Sequence, residues 1–276
     1  MYINGSRTEI IVYFSKENNM SEEKILKLSV SSIGSYEKCP KQFWYRYIEK
    51  VKVEKAPNIA TEFGSLMHLI LELFHKDVSE NNLSVKDFGK SMTTSVKLAL
   101  KEFDLALIKQ PVWTPSGNVN GLDYMVSLCK EYLQKVKDEG LPNVIGLEEP
   151  YEFYHKGVHM RGYIDRVDEV EDGVYKVVDY KTSKNTRYLK DFQILVYASA
   201  IKNKYKNVKK ILGSFMMMKH GYEEKYVEID DQRIDDAIKK IEDVAEMIKT
   251  DTVWEKKPTF LCNWCDYKDL CQNSWV

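Results

Sequence analysis

The octapeptide VVDYKTSK, Val177 to Lys184, leads through two valines to an acid, Asp179, and places an ammonium two positions later at Lys181. In an extended chain positions i and i+2 share a face, so both side chains point the same way. Alone, the triplet also fits a solvated ion pair at a strand end. Upstream, GYIDRVDEVEDGVYK reads as a hairpin about Glu171-Asp172-Gly173, with Gly173 supplying the left-handed residue such a turn needs. A three-residue loop 171–173 sets Asp165 directly across from Asp179. A two-residue Asp-Gly loop instead sets Asp179 against Arg166 and sends the acids to opposite faces. In the first register two carboxylates and Lys181 crowd one face, and like charges opposed across a sheet destabilise it. A divalent cation relieves that crowding better than one ammonium does. Mg²⁺ takes carboxylates at about 2.1 Å, keeps several waters and leaves room for a substrate phosphate. Asp165 and Asp179 are therefore candidate ligands, with Lys181 placed to hold an attacking water or neutralise developing charge.

A second constellation is made of sulfur. Of five cysteines, Cys262, Cys265 and Cys271 fall within ten residues in the pattern C-x₂-C-x₅-C. An odd count in a cytosolic-looking chain argues against a disulfide framework, and the spacing is that of a metal site. A fourth ligand is needed, either Cys39 in YEKCPKQFWYRY or the remote Cys129 in YMVSLCKEYL. The periodicity around Cys129 makes it an ordinary buried helix residue. Thiolate chemistry alone does not separate zinc from an iron–sulfur cluster, since both accept four cysteines.

These residues need elements to position them. The chain is long enough for one large or two small domains, and 43% hydrophobic content excludes a disordered chain. No apolar run reaches membrane-spanning length and no secretory signal opens the sequence, so a cytoplasmic protein with no membrane partner is expected. The net charge of −1 is uninformative about a polyanionic partner, but nine Lys or Arg against the single acid Asp191 lie between Tyr180 and Lys210. That run reads either as a solvated face or as a surface that follows phosphates. Ser32 is a plausible cap for a first helix bearing Tyr36, Phe43, Trp44 and Tyr47, and an apolar helix spans about Thr61 to Val78. A helical middle, about 85–139, is broken by a loop, PVWTPSGN. Three strand-like runs follow from Glu149, then an amphipathic helix over about 190–203, a strand ILGSFMMMK, a short strand near 226–229 and a charged helix over 232–250. The expectation is an α/β fold, a mixed central sheet flanked by helices, with a helical insertion and a Cys-rich tail. Its parts are an N-terminal extension (1–27, with Met20 as an alternative natural start), a helical region (28–148), an α/β core (149–250) and the cysteine tail (251–276).

GYIDRVD followed by VVDYKTSK resembles the PD-(D/E)xK nuclease superfamily, in its RecB/AddB-type branch. Two further motifs match in order: G-x-x-x-H as GSLMH, Gly64 to His68, and Q-x-x-x-Y as QILVY, Gln193 to Tyr197. The resemblance implies a restriction-endonuclease-like core in which His68, Asp165, Asp179 and the main-chain carbonyl of Tyr180 hold Mg²⁺ or Mn²⁺. It implies catalysis by Asp165, Asp179 and Lys181. Gln193 and Tyr197 would position DNA, and Lys184 and Arg187 in the basic run would meet its phosphates. His68 alone on an apolar helix would be a core histidine, and His75, one heptad on, matches nothing and reads as structural. The cysteine layout, one before the core and three after, resembles the iron–sulfur members of that branch, including the CRISPR-adaptation exonucleases. It implies a [4Fe–4S] cluster on Cys39, Cys262, Cys265 and Cys271 that clasps the N-terminal segment to the tail. The function implied is a metal-dependent exonuclease on single-stranded or frayed DNA, in a bacterial, archaeal or phage-infected cytoplasm. No G-x-x-x-x-G-K-[ST] phosphate loop is present, so unwinding falls to a separate helicase or to recombination or integration proteins. A catalytically silent adaptor of the same fold, or a zinc-bearing binding module, are the rival readings.

Overall fold

The computed structural model describes residues 25–54 and 57–271. Residues 1–24, including Met20, lie outside it. In chain order the elements are β1 (Leu26–Leu28), α1 (Val30–Lys38), α2 (Pro40–Phe43), a π-helical turn Trp44–Ile48, α3 (Ile59–Glu80), α4 (Phe88–Ala99), α5 (Leu105–Ile108), β2 (Pro111–Thr114), β3 (Gly117–Asn120), α6 (Gly121–Glu139), β4 (Val144–His155), β5 (Val158–Glu171), β6 (Val174–Lys181), α7 (Asp191–Lys204), β7 (Lys210–Met217), β8 (Glu223–Val227) and α8 (Asp231–Thr250). A 3₁₀ turn, Phe260–Trp264, lies in the cysteine-bearing tail.

The main sheet is mixed, in the order β1-β5-β6-β7-β8, with β4 also paired to β5. β6 runs antiparallel to β5 and parallel to β7, so α7 is the crossover of a β-α-β unit. Both central strands are buried along nearly their whole length, as strands covered on two faces must be. α7 is buried continuously from Ile194 to Ile201. The amphipathic helix expected there is instead a core helix whose charged residues lie at its two ends.

The β5–β6 hairpin settles the register. At its tip Glu171 pairs with Val174, so the loop is the two-residue Asp172-Gly173 turn, with Gly173 at φ 75°. One strand position is then absorbed by a bulge between Glu169 and Glu171, and from Glu169↔Tyr175 to Arg166↔Val178 the ladder has the register of a three-residue loop. The bulge does what the longer loop was expected to do, and Asp165 and Asp179 share a face.

Three further differences are local. The cap of α1 is Ser29, whose Oγ accepts from the Ser32 amide at 3.2 Å while Ser32 Oγ accepts from the Ser29 amide at 2.8 Å. PVWTPSGN is not a loop but the antiparallel β2–β3 hairpin, in which Trp113 pairs with Asn118. The last strand lies at Glu223–Val227, slightly earlier than expected.

The described residues divide into two compact units, each assembled from separated segments: 25–54, 150–162 and 231–271 form one, 57–149 and 163–230 the other. In the first, the ring of Phe43 packs edge-on to Tyr36 and stacks with Trp254, and the Tyr36 hydroxyl donates to Asp251 Oδ2 at 2.8 Å. In the second, α3, α4 and α6 bury Phe63, Leu66, Ile70, Phe74, Leu128 and Tyr132 beside Val178 and Tyr180 of β6. Among the described residues no helix is long and apolar enough to cross a membrane.

Candidate metal centre and cysteine cluster

All the residues predicted for the nuclease site lie in the second unit. α3 brings His68 to the end of β6 because Gly64, one turn earlier, lets helix and strand come close. A Cβ built on Gly64 would lie 3.0 Å from Thr182 Oγ1. His68 Nε2 donates to the Tyr180 carbonyl at 3.1 Å, and its Nδ1 lies 3.5 Å from Asp165 Oδ2. The Tyr180 amide donates to Asp165 Oδ2 at 2.7 Å. Beyond Arg166↔Val178 the ladder has ended, and the exposed peptide edge of Tyr180 serves the site in place of β5.

Asp179 and Lys181 form an ion pair of 2.5 Å, with the carboxylate buried and the ammonium partly open. Gln193 of α7 locks the pair: its Nε2 donates to Asp179 Oδ1 at 2.6 Å and to the Tyr197 hydroxyl at 2.7 Å, while its Oε1 accepts from Lys181 at 3.2 Å. Tyr197 is itself buried. The motif expected to touch DNA thus has its polar atoms turned onto the Asp179–Lys181 pair.

Glu148 is the residue that sequence reasoning missed. Ligand atoms of His68, Glu148 and Asp165 all lie within 4.8 Å of one another, and among the described residues they are the only such trio. Within β4, Glu148 has φ 41°, a left-handed conformation that a side chain seldom adopts and that locally breaks the alternation of the strand. Its only sequence signal was a pair of glutamates ahead of Pro150.

Charge crowding is visible in the titration behaviour. Burial, and then the neighbouring Asp165 carboxylate, hold the Asp179 carboxyl up at about 6 against the opposing pull of Lys181. Burial pushes the His68 imidazole down, but its bond to Asp165 and the charges of Asp165, Asp179 and Glu148 lift it above the usual histidine value.

The basic run is not one surface. Lys184 and Arg187 are exposed just beyond the C-terminal end of β6. Lys184 holds its Nζ 5.0 Å from the centre of the Trp113 ring. Lys209 and Lys210 stand at the other end, since Lys210 pairs with Val174 while Lys181 pairs with Met217. That is about 23 Å away along the strands, where Lys209 pairs with Asp172. Lys204 pairs with Glu149.

In the first unit, Cys39, Cys262, Cys265 and Cys271 line a single cavity. The Thr259 amide donates to Cys262 Sγ at 3.4 Å and Gln42 Nε2 to Cys265 Sγ at 3.5 Å. Burial pushes the Cys271 thiol up against a downward pull from Lys256, and each of the other three thiols adds a smaller upward push. Cys129 belongs to the second unit, buried on α6 with burial pushing its thiol up to about 12, and its Sγ lies 3.8 Å from Met125 Sδ.

Residues 27–272 match the PD-(D/E)XK nuclease superfamily. Among curated proteins, the chain is similar to an ATP-dependent helicase/deoxyribonuclease subunit of Clostridium perfringens, 27% identical over 238 residues, covering 71% of this chain and 20% of that protein. It is also similar to the protein of the same name from Clostridium tetani, 24% identical, covering 64% of this chain and 18% of that one. The chain therefore spans about a fifth of the length of these relatives. A crystal structure from Eubacterium rectale aligns over 92% of this chain and 90% of its own, at 14% identity and a TM-score of 0.49. With the matched region spanning nearly the whole chain, and the D-x-K strand, its partner aspartate and the helical histidine gathered at one point, this protein belongs to the PD-(D/E)XK nuclease superfamily.

Proposed function

We propose that this chain is a divalent-metal-dependent deoxyribonuclease that acts as an exonuclease on single-stranded or frayed DNA. The observation that carries this reading is the convergence of His68, Glu148, Asp165 and the Tyr180 carbonyl beside the Asp179–Lys181 pair. One imidazole nitrogen among carboxylate and carbonyl oxygens suits Mg²⁺ or Mn²⁺. The repulsion that raises Asp179 is of the kind a bound dication relieves. When bound, the metal supplies a water of lowered pKa and a counter-charge for the phosphate. His68, Glu148, Asp165, Asp179 and the Tyr180 carbonyl are the groups that would hold it.

The remaining chemistry belongs to side chains. Lys181 Nζ orients the nucleophilic water and neutralises the phosphate oxygens as the bond to the departing sugar oxygen breaks. Gln193 keeps Lys181 and Asp179 in register with each other, and Tyr197 keeps Gln193 in place. Lys184 and Arg187 are assigned to backbone phosphates on the approach to the site. The curated relatives carry helicase in their names, which supports a separate helicase, or recombination or integration proteins, as partner in the cytoplasm.

The cysteine cavity is assigned a structural [4Fe–4S] cluster. Both zinc and a cluster accept four thiolates; the layout of one cysteine before the core and three after it, all four lining one cavity, favours the cluster. The amide and side-chain donors to Cys262 and Cys265 are of the kind that tune cluster thiolates.

The pH dependence of metal binding follows from the two raised groups. Metal-free protein at pH 6 carries protons on His68 and partly on Asp179, and both must leave when Mn²⁺ binds. Apparent affinity should rise from pH 5.5 to 7.5. Calorimetry in two buffers of different ionisation enthalpy should show proton release at pH 6 and much less at pH 8. Because both folded values lie above the unfolded ones, these groups stabilise the metal-free fold at low pH and less as pH rises, Asp179 through about 6 and His68 above its ordinary value.

The functional test is Mn²⁺-dependent degradation of end-labelled single-stranded DNA, with 5′- and 3′-blocked strands to read direction. Wild type should shorten unblocked strands and Asp179→Ala should not. Wild type with its cluster intact but inert on DNA would favour the silent adaptor. Equal cleavage by the variant would place the activity elsewhere.

A further inference from the structure

On the reverse face of the sheet from the metal centre lies a buried polar chain that the proposed reaction does not use. Arg166, Asp168, Tyr132, Tyr180 and His75 are each at most 3% exposed. Arg166 Nη2 donates to Asp168 Oδ2 at 3.0 Å, and its Nε lies 2.9 Å from Oδ1 as an ion pair without hydrogen-bond alignment, so the carboxylate neutralises the guanidinium. Arg166 Nη1 donates to the Tyr180 hydroxyl at 3.0 Å and to the Tyr132 hydroxyl at 3.1 Å. With Arg166 donating to its oxygen, the Tyr132 hydroxyl gives its own proton to His75 Nε2, 2.5 Å away. Burial, and then the Arg166 charge, press the His75 imidazole well below its usual value, so it is a neutral acceptor.

Tyr180 is thus gripped at both ends. Its carbonyl accepts from His68, whose ring also lies edge-on to the Tyr180 ring, and its hydroxyl accepts from Arg166. The two histidines belong to the same helix, α3. The grip also falls where the β5–β6 ladder has ended, at Arg166↔Val178, so no main-chain bond to β5 sets the height of the Tyr180 peptide. A buried charge pair is a costly way to fill a core, and apolar residues there are often at least as stabilising. We infer that Arg166, held by Asp168 and Tyr132, is a positioning residue: through the Tyr180 hydroxyl it fixes the Tyr180 carbonyl and the adjacent Asp165 carboxylate at the spacing the metal requires.

This inference rests on the metal-binding reading above, and the experiment separates the two. Mn²⁺ affinity is measured by calorimetry on the intact chain for wild type, Asp165→Ala, Tyr180→Phe and Phe74→Leu. Tyr180→Phe removes one hydroxyl. Phe74→Leu removes packing beside His75 and Tyr132 without altering any hydrogen-bonding group, and serves as the stability control. Outer-shell partners typically contribute about 10- to 100-fold to metal affinity, so Tyr180→Phe should raise the Mn²⁺ Kd about tenfold, with its cleavage rate largely recovered at saturating metal. Phe74→Leu should lower Tm with an unchanged Kd. Should Tyr180→Phe prove too unstable, Arg166→Lys, which keeps the charge but loses the fork, should show the same rise. A wild-type Kd in Tyr180→Phe, or an equal rise in Phe74→Leu, overturns the inference alone. Identical isotherms for wild type and Asp165→Ala overturn the metal site and this inference together.

Discussion

Replacing Lys181 by alanine should lower single-turnover cleavage by about two to three orders of magnitude, the effect of removing one preorganised donor from a charge-developing centre. Mn²⁺ affinity should not fall with it. Lys181 neutralises Asp179 in the ground state, so its removal leaves that carboxylate more available to metal. Asp165→Ala should behave oppositely. Asp165 sits within reach of His68 and Glu148 and accepts from the Tyr180 amide, so the change should weaken Mn²⁺ binding first and cleavage as a consequence. Rapid-quench cleavage paired with calorimetry separates the two. A Lys181→Ala rate within tenfold of wild type would remove Lys181 from the reaction.

The second large effect belongs to the cysteines. Cys39→Ser or Cys271→Ser should bleach the broad absorption near 400 nm of an anaerobic preparation and lower Tm on the order of 10 °C, because site formation and folding are one event in such elements. Cys39 precedes α2 and Cys271 ends the described tail, so the cavity adds a tie between segments far apart in sequence within their unit. Cys129→Ala is the control. That thiol is a packed core atom, and its loss should cost about 1 kcal/mol with the absorption retained. A colourless wild type carrying one zinc would overturn the cluster.

The parts of the site that could be read from sequence are those carried by short-range spacing. Asp179 and Lys181 share a strand face, Gln193 and Tyr197 share a helix face, and Gly64 and His68 lie one turn apart. Longer-range geometry was less legible. Asp165 does face the side of Asp179, but through a bulge between Glu169 and Glu171, and the loop is the shorter of the two weighed. Glu148 depends on a left-handed residue inside a strand, for which a glutamate gives no signal. The β2–β3 hairpin was hidden by the Pro, Gly and Ser of PVWTPSGN. α7 looked amphipathic because Lys190, Lys202 and Lys204 flank an interior that is buried all along. The basic run, continuous in sequence, is split by the parallel β6–β7 pairing, which carries Lys210 to the far end of the strands.

One measurement bears on the centre directly: the anomalous difference map of a crystal soaked in Mn²⁺. The account predicts a single strong peak at about 2.1 Å from oxygens of Asp165 and the Tyr180 carbonyl and at similar range from a His68 nitrogen, with Glu148 and Asp179 around it. A peak elsewhere, or none at a Mn²⁺ concentration that supports cleavage, would contradict it.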